Sequence, residues 1–129
     1  MDTNFSTIEW VYKSFNELSV TELYALLTLR NRVFVVEQNC VYNDTDGKDL
    51  HCLHVMGLEC EKLVAYARIV PPGISYKEAS IGRIVNDPEL RKKGLGFALV
   101  QHCIELTISH FQTNSIRISA QLYLLEFYK

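Results

Sequence analysis

The chain has 129 residues, 48% of them hydrophobic and 22% charged, with a formal net charge of −2 at pH 7. That length suits one compact domain, residues 1–129, and the charge excludes a general nucleic-acid binder, which would carry a basic face far wider than the single Arg91-Lys92-Lys93 cluster. No apolar run approaches the roughly 18–20 residues of a membrane span, and Cys40, Cys52, Cys60 and Cys103 lack C-x-x-C spacing and follow a polar Met1-Asp2-Thr3-Asn4 start, the pattern of reduced thiols in a soluble, cytoplasmic protein.

Ile8 to Phe15 reads as a short strand. Ser19-Val20-Thr21-Glu22 is a capping box, and it opens a helix whose apolar stripe takes in Val20, Leu23, Leu26, Leu27 and Val33. The turn Asn43-Asp44-Thr45-Asp46-Gly47 follows. Its acids, with Asp49, read as a solvated polar turn or as an attractor for a cationic amine. Two β-runs, about 52–59 and 63–70, are split by Glu61-Lys62 and stopped by Pro71-Pro72-Gly73, so they should pair as a hairpin. A third β-run, about 78–86, leads through a basic turn into a helix of about 94–110. Ser115 to Ala120 returns as a strand parallel to the third run, and another helix begins near Leu122. The fold class is α/β in the mixed sense, a mixed sheet flanked by helices in the order β-α-β-β-β-α-β-α.

The chemistry is concentrated where the third run meets its helix. The backbone of Ile84, Val85 and Asn86 leads to Arg91-Lys92-Lys93-Gly94-Leu95-Gly96. Two glycines let main chain approach an anion, a helix start presents unpaired N–H groups at its positive end, and three side chains add full charges. A phosphate-bearing ligand is the expected occupant. The turn is not a P-loop, because no Lys-Ser or Lys-Thr follows the glycines, and it is not a dinucleotide fingerprint, whose third glycine would fall on Leu99.

The Arg-x-x-Gly-x-Gly pattern resembles the diphosphate loop of the GNAT N-acetyltransferase superfamily. Leu23-Tyr24-Ala25-Leu26-Leu27, Arg30, Val33 to Cys40, Asp46-Gly47, Leu63 to Arg68 and Ile81-Gly82-Arg83 are similar, in the same order, to its ElaA-like branch. The similarity runs from about Ile8 to Tyr128. It implies a GNAT acyl-CoA N-acyltransferase fold that uses acetyl-CoA as co-substrate and an amine as acceptor. Arg91, Lys92, Lys93, Gly94, Leu95 and Gly96 would lie on the diphosphate, and the backbone of Ile84, Val85 and Asn86 on the pantetheine arm. Asn86 stands where close relatives often have valine, so it either polarises that channel or simply ends the strand before Pro88. Gln121 matches a position near the cofactor or caps the last helix. Tyr128 matches the tyrosine that donates a proton to the leaving thiolate, or is a plain aromatic of that helix. Members of the family usually continue into a final β-hairpin beyond Lys129; without it, a homodimer is one way to cover the open side.

Acyl transfer also needs a neutral amine, hence a group to remove its proton. Glu37 closes an apolar run, where a charge is out of place unless it faces a cleft, the alternative being a solvated helix end. His54, in the stretch His-Val-Met-Gly that resembles the branch, is the other candidate, the alternative being a satisfied strand histidine. Arg68 and Arg83 stand alone among apolar strand residues and either orient an acidic substrate or pair with structural carboxylates. No metal site is expected. An EF-hand register on Gly47 puts Tyr42 and Leu53 where carboxylates are needed, and His51 and His54 have no second ligand cluster. Cys40 reads as an ordinary thiol. The function expected is direct acetyl transfer from acetyl-CoA to an amine of a small molecule or peptide; the alternative is a non-catalytic CoA-binding or regulatory module.

Overall fold

The computed structural model describes residues 8–37, 44–88, 94–113 and 115–118. Strands β1 (Ile8–Ser14), β2 (Leu53–Glu59), β3 (Lys62–Val70), β4 (Ala79–Asn86) and β5 (Ile116–Ile118) form one sheet in the order β1-β2-β3-β4-β5. The first three junctions are antiparallel and the last is parallel, with Ala79 opposite Ile116 and Ile81 opposite Ile118. The sheet is therefore mixed, and the hairpin and the parallel return expected from the sequence are both present. The helix expected from about Leu122 lies outside the described residues.

Helix α1 (Val20–Arg30) begins with the capping box read from the sequence: Ser19 Oγ accepts from the Glu22 N–H at 3.0 Å, and Glu22 Oε1 accepts from the Ser19 N–H at 2.8 Å. The chain then widens into a π-helical stretch, Asn31–Glu37, that carries Val33 and Phe34 into the interior. The expected stripe is thus corrected at one end: Val20 is exposed, and burial falls on Leu26, Leu29, Val33 and Phe34. Val20 opens the helix directly after the exposed Ser19 cap, ahead of the turns that pack on the sheet.

Strand alternation divides the core between the faces of the sheet. Val55, Ala65, Ala67, Ile69, Ile81 and Ile84 meet Leu95, Leu99 and Cys103 of helix α2 (Leu95–Phe111). Met56, Tyr66 and Val85 point the other way, against Leu26, Leu29, Val33 and Phe34. Gly57 in β2 is required by close approach: a Cβ there would lie 2.8 Å from the ring of Trp10, which itself stacks on His102 with centroids 5.4 Å apart.

Candidate active site

The carboxyl end of β4 and the mouth of α2 are fastened together by Asn86. In the amide orientation that satisfies its neighbours, its side-chain oxygen accepts from the Gly96 N–H at 3.1 Å and its nitrogen donates to the Val85 carbonyl at 3.2 Å. Asn86 is indeed the last residue of β4, and its side chain also holds one of the amides that a helix start leaves without a partner. Gly94 caps the helix at φ 77°, a left-handed conformation costly for any residue with a Cβ. Leu95 and Gly96 are buried in the first turn, and Ile84 and Val85 are buried on opposite faces of the strand. Arg91, Lys92 and Lys93 lie outside the described residues, as do Gln121 and Tyr128.

Just before this junction β4 carries a bulge. Tyr66 faces Val85 and Arg68 faces Gly82, so Arg83 and Ile84 together oppose Ala67. Arg83 adopts φ 50°, uncommon for a residue other than glycine. Its side chain holds it there: Nε donates to Asp44 Oδ1 at 2.9 Å and Nη2 to the Asp44 carbonyl at 2.8 Å. An extra residue at this point sharpens the local twist of the strand immediately before Ile84, Val85 and Asn86.

The acids of the 44–49 turn are paired with arginines rather than merely solvated, Asp44 and Asp49 being buried and Asp46 keeping one side in solvent, which corrects the expectation of a solvated polar turn. Arg30, wholly buried, donates from Nε to Asp44 Oδ2 at 2.7 Å and from Nη1 to Asp49 Oδ1 at 2.8 Å. Arg68 donates to Asp46 Oδ2 at 2.6 Å and to Asp49 Oδ1 at 2.9 Å. Three arginines from α1, β3 and β4 thus match three aspartates of one turn. Neither side could be buried alone, since desolvating an unpaired charge costs several kcal/mol. Burial alone would raise the Asp49 carboxyl, but Arg30 and Arg68 together outweigh it and hold it below the usual carboxylate range. The Arg68 guanidinium likewise holds Asp46 far below that range. The sequence signal was available: three arginines isolated in apolar segments and three aspartates in one turn. Nothing in periodicity says that they meet.

His54 is wholly buried in β2, and both its ring nitrogens are engaged. Nε2 faces the Asp49 carbonyl at 2.9 Å and so must carry the proton, which leaves Nδ1 to accept from the Tyr66 hydroxyl at 2.6 Å. Burial, followed by the Arg30 and Arg68 charges, lowers its pKa, in keeping with a neutral ring. This geometry is that of the satisfied strand histidine: it ties the acidic turn to the sheet and faces no solvent from which an amine could approach. Glu37, by contrast, is exposed at the end of the π-helical stretch. Among the described residues, no group of three or more His, Cys, Asp or Glu side chains is placed to hold a metal ion, and no helix is long and apolar enough to cross a membrane.

Comparison with known proteins bears on this site as a whole. A family model described as the acetyltransferase (GNAT) family matches residues 9–129. Protein ElaA of Escherichia coli is 41% identical over 124 residues, spanning 95% of this chain and 81% of its own length. Its crystal structure superposes with a TM-score of 0.87 over 94% of this chain and 83% of that one. A UPF0039 protein of Synechocystis is 39% identical over 122 residues, or 94% of this chain and 79% of its own. The crystal structure of an acyl-CoA N-acyltransferase from Pseudomonas aeruginosa, 36% identical, superposes with a TM-score of 0.86 over 94% of this chain and 84% of that one.

Proposed function

Because the chain belongs to the acetyltransferase (GNAT) family, we propose that it transfers an acetyl group from acetyl-CoA directly to an amine of a small molecule or peptide. The observation that carries this reading is the Asn86–Gly96 junction. It sets the positive end of a helix of 17 residues against the carboxyl end of β4, where an anionic carrier is held by main-chain amides and aligned along a strand.

In this reading the main chain at Gly94 and Leu95, with Arg91, Lys92 and Lys93, holds the diphosphate, while Gly96, whose N–H is engaged by Asn86, gives the backbone its close approach. The backbone of Ile84, Val85 and Asn86 aligns the pantetheine arm, with Gln121 beside it. The amine nitrogen attacks the thioester carbonyl, forming the C–N bond and placing the carbonyl electron pair on oxygen. Collapse of that tetrahedral species breaks the C–S bond. The thiolate takes a proton from the Tyr128 hydroxyl, and the amine proton leaves through Glu37, directly or by water. His54 serves here as a strut between β2 and the acidic turn rather than as a base, a role its contacts to the Tyr66 hydroxyl and the Asp49 carbonyl support. No step calls for a metal.

Acetyl-CoA is expected to raise the melting temperature, since a ligand that binds only the folded state stabilises it by mass action. Gly94→Asp or Gly96→Asp places charge and bulk against the diphosphate and should abolish the rise. Release of free thiol across a panel of amines then reports turnover. Absence of any thermal shift with the intact protein sinks the assignment, whereas a shift without thiol release makes this a CoA-binding module.

A further inference from the structure

A polar cavity of about 250 Å³ opens beside the β4 bulge, lined among others by Asp46, Lys48, Arg68, Ser75, Tyr76 and Arg83. Gly82 and Arg83 form part of its wall, and the next residue along the strand is Ile84, where the proposed run of cofactor-aligning backbone begins. The cavity therefore abuts the segment that aligns the acyl carrier. Its volume suits a molecule of amino-acid size.

The hydrogen-bonding capacity of the wall is one-sided. Asp46, the sole carboxylate among the described residues of the wall, is already spent: Oδ1 accepts from the Lys48 N–H at 3.0 Å and from Arg68 Nη1 at 2.8 Å, and Oδ2 from Arg68 Nη2 at 2.6 Å. Donors remain in excess. Arg68, whose side chain is only 6% exposed, has a buried Nε with no hydrogen-bond partner among the described residues. Leaving such a donor unmade is costly, the more so when it is charged, and an acceptor that reaches it offsets that cost. The Lys48 ammonium has no ion-pair partner among the described residues; Arg117, over the ring of Tyr76 at 4.5 Å, is paired with Glu78 at 3.5 Å and adds no net charge at the rim. The arginines and aspartates of the buried network balance three against three, so Lys48 leaves the wall net positive.

We infer that this cavity is the acceptor site and that it selects amines carrying an acidic group, a carboxylate such as that of an amino acid or a peptide terminus. The inference rests on the acetyltransferase reading and adds the substrate class to it. The carboxylate supplies the oxygen atoms that the wall lacks, and it draws the amine end toward β4.

Matched pairs of amines that differ only in a carboxylate test this: lysine against 1,5-diaminopentane, and β-alanine against ethylamine, each with acetyl-CoA and thiol release as readout. The carboxylated member is expected to be used with kcat/KM about tenfold higher or more, the scale of one charge-assisted contact. Lys48→Ala should erase most of that preference through KM, with the acetyl-CoA thermal shift unchanged. Equal or better use of the carboxylate-free amines overturns the inference while leaving the transferase assignment intact. Loss of the acetyl-CoA shift itself strikes the transferase reading instead. If acetyl-CoA binds and no amine is acetylated, calorimetric titration of lysine and β-alanine into the CoA-loaded protein decides. Binding that Lys48→Ala weakens supports the acidic-group site, and no binding overturns it.

Discussion

Arg30 reaches Asp44 across the α1 side of the sheet at 2.7 Å, with both side chains withdrawn from solvent. The pair joins a helix that packs on the sheet to a turn that would otherwise hang at its edge. Asp44 also receives Arg83 from β4, so one carboxylate closes a triangle of helix, turn and strand.

Removing that charge leaves Arg30 and Arg83 short of their counter-ion. Asp44→Asn is expected to destabilise the fold by about 3–5 kcal/mol, the scale for breaking a buried pair from one side. A lowered urea midpoint with unchanged slope is the measurement. A loss under about 1 kcal/mol would show that the pair is solvated in solution.

At position 83 the usual order of small substitutions should reverse. Arg83→Ala and Arg83→Gly both forfeit the contacts to Asp44, but only alanine must also hold a left-handed backbone at a Cβ cost of about 1–2 kcal/mol. The glycine variant should therefore melt at the higher temperature. If alanine proves the more stable, the bulge does not persist without the arginine.

Gly57→Ala tests the contact with Trp10. The added methyl meets the indole at 2.8 Å and Ala65 Cβ at 3.2 Å, so overpacking should cost about 1–3 kcal/mol. Trp10 is the chain's single tryptophan, so its fluorescence reports the displacement directly.

The acid side of the stability profile should show two losses. His54 has a folded pKa below its ordinary value of 6.5, so the unfolded chain takes up the proton first. Its contribution is complete above that pH and is lost as pH falls from 6.5 toward the lowered value. Asp46 and Asp49 are likewise depressed from 3.8, and their contribution is present above that value and lost as pH falls below it. Urea unfolding between pH 4 and 8 should show His54→Gln with a flatter dependence than the parent near pH 6. Parallel curves would assign the slope to another group.

Asn86→Asp replaces a neutral tether by a charged one. An anion facing the Gly96 amide suits the positive end of α2, but its second oxygen meets the Val85 carbonyl in place of a donor and the side chain is buried, so the free protein should lose about 1–3 kcal/mol. The same charge repels a diphosphate, and the acetyl-CoA thermal shift should shrink. A shift equal to that of the parent would place the phosphates away from this junction.

The strands, the hairpin and the Ser19 capping box were legible because each rests on local rules: alternation, a polar turn, a side chain reaching three residues on. The mouth of α2 was legible because its glycines and following apolar run are contiguous. The ion-pair network was not, since Arg30, Asp49, Arg68 and Arg83 are brought together only by the sheet register and by a bulge that sequence pattern does not reveal. The same holds for His54. Its residue type fits a base as well as a strut, and only the Tyr66 hydroxyl and the Asp49 carbonyl on its two nitrogens show which. From sequence Asn86 reads either as a polar wall of the pantetheine channel or as an end marker, and its reach to Gly96 depends on an orientation that no spacing encodes.

Strand β4 serves as a ruler. Ser80, Gly82 and Arg83 edge the polar cavity, and Asn86, three residues further on, reaches the helix mouth. At about 3.3 Å of rise per residue, the gap between the two is set by the strand itself, independent of any loop. A single amino acid inserted after Arg83 would lengthen the gap and turn Ile84, Val85 and Asn86 to the opposite faces, unhooking the tether to α2 in one stroke.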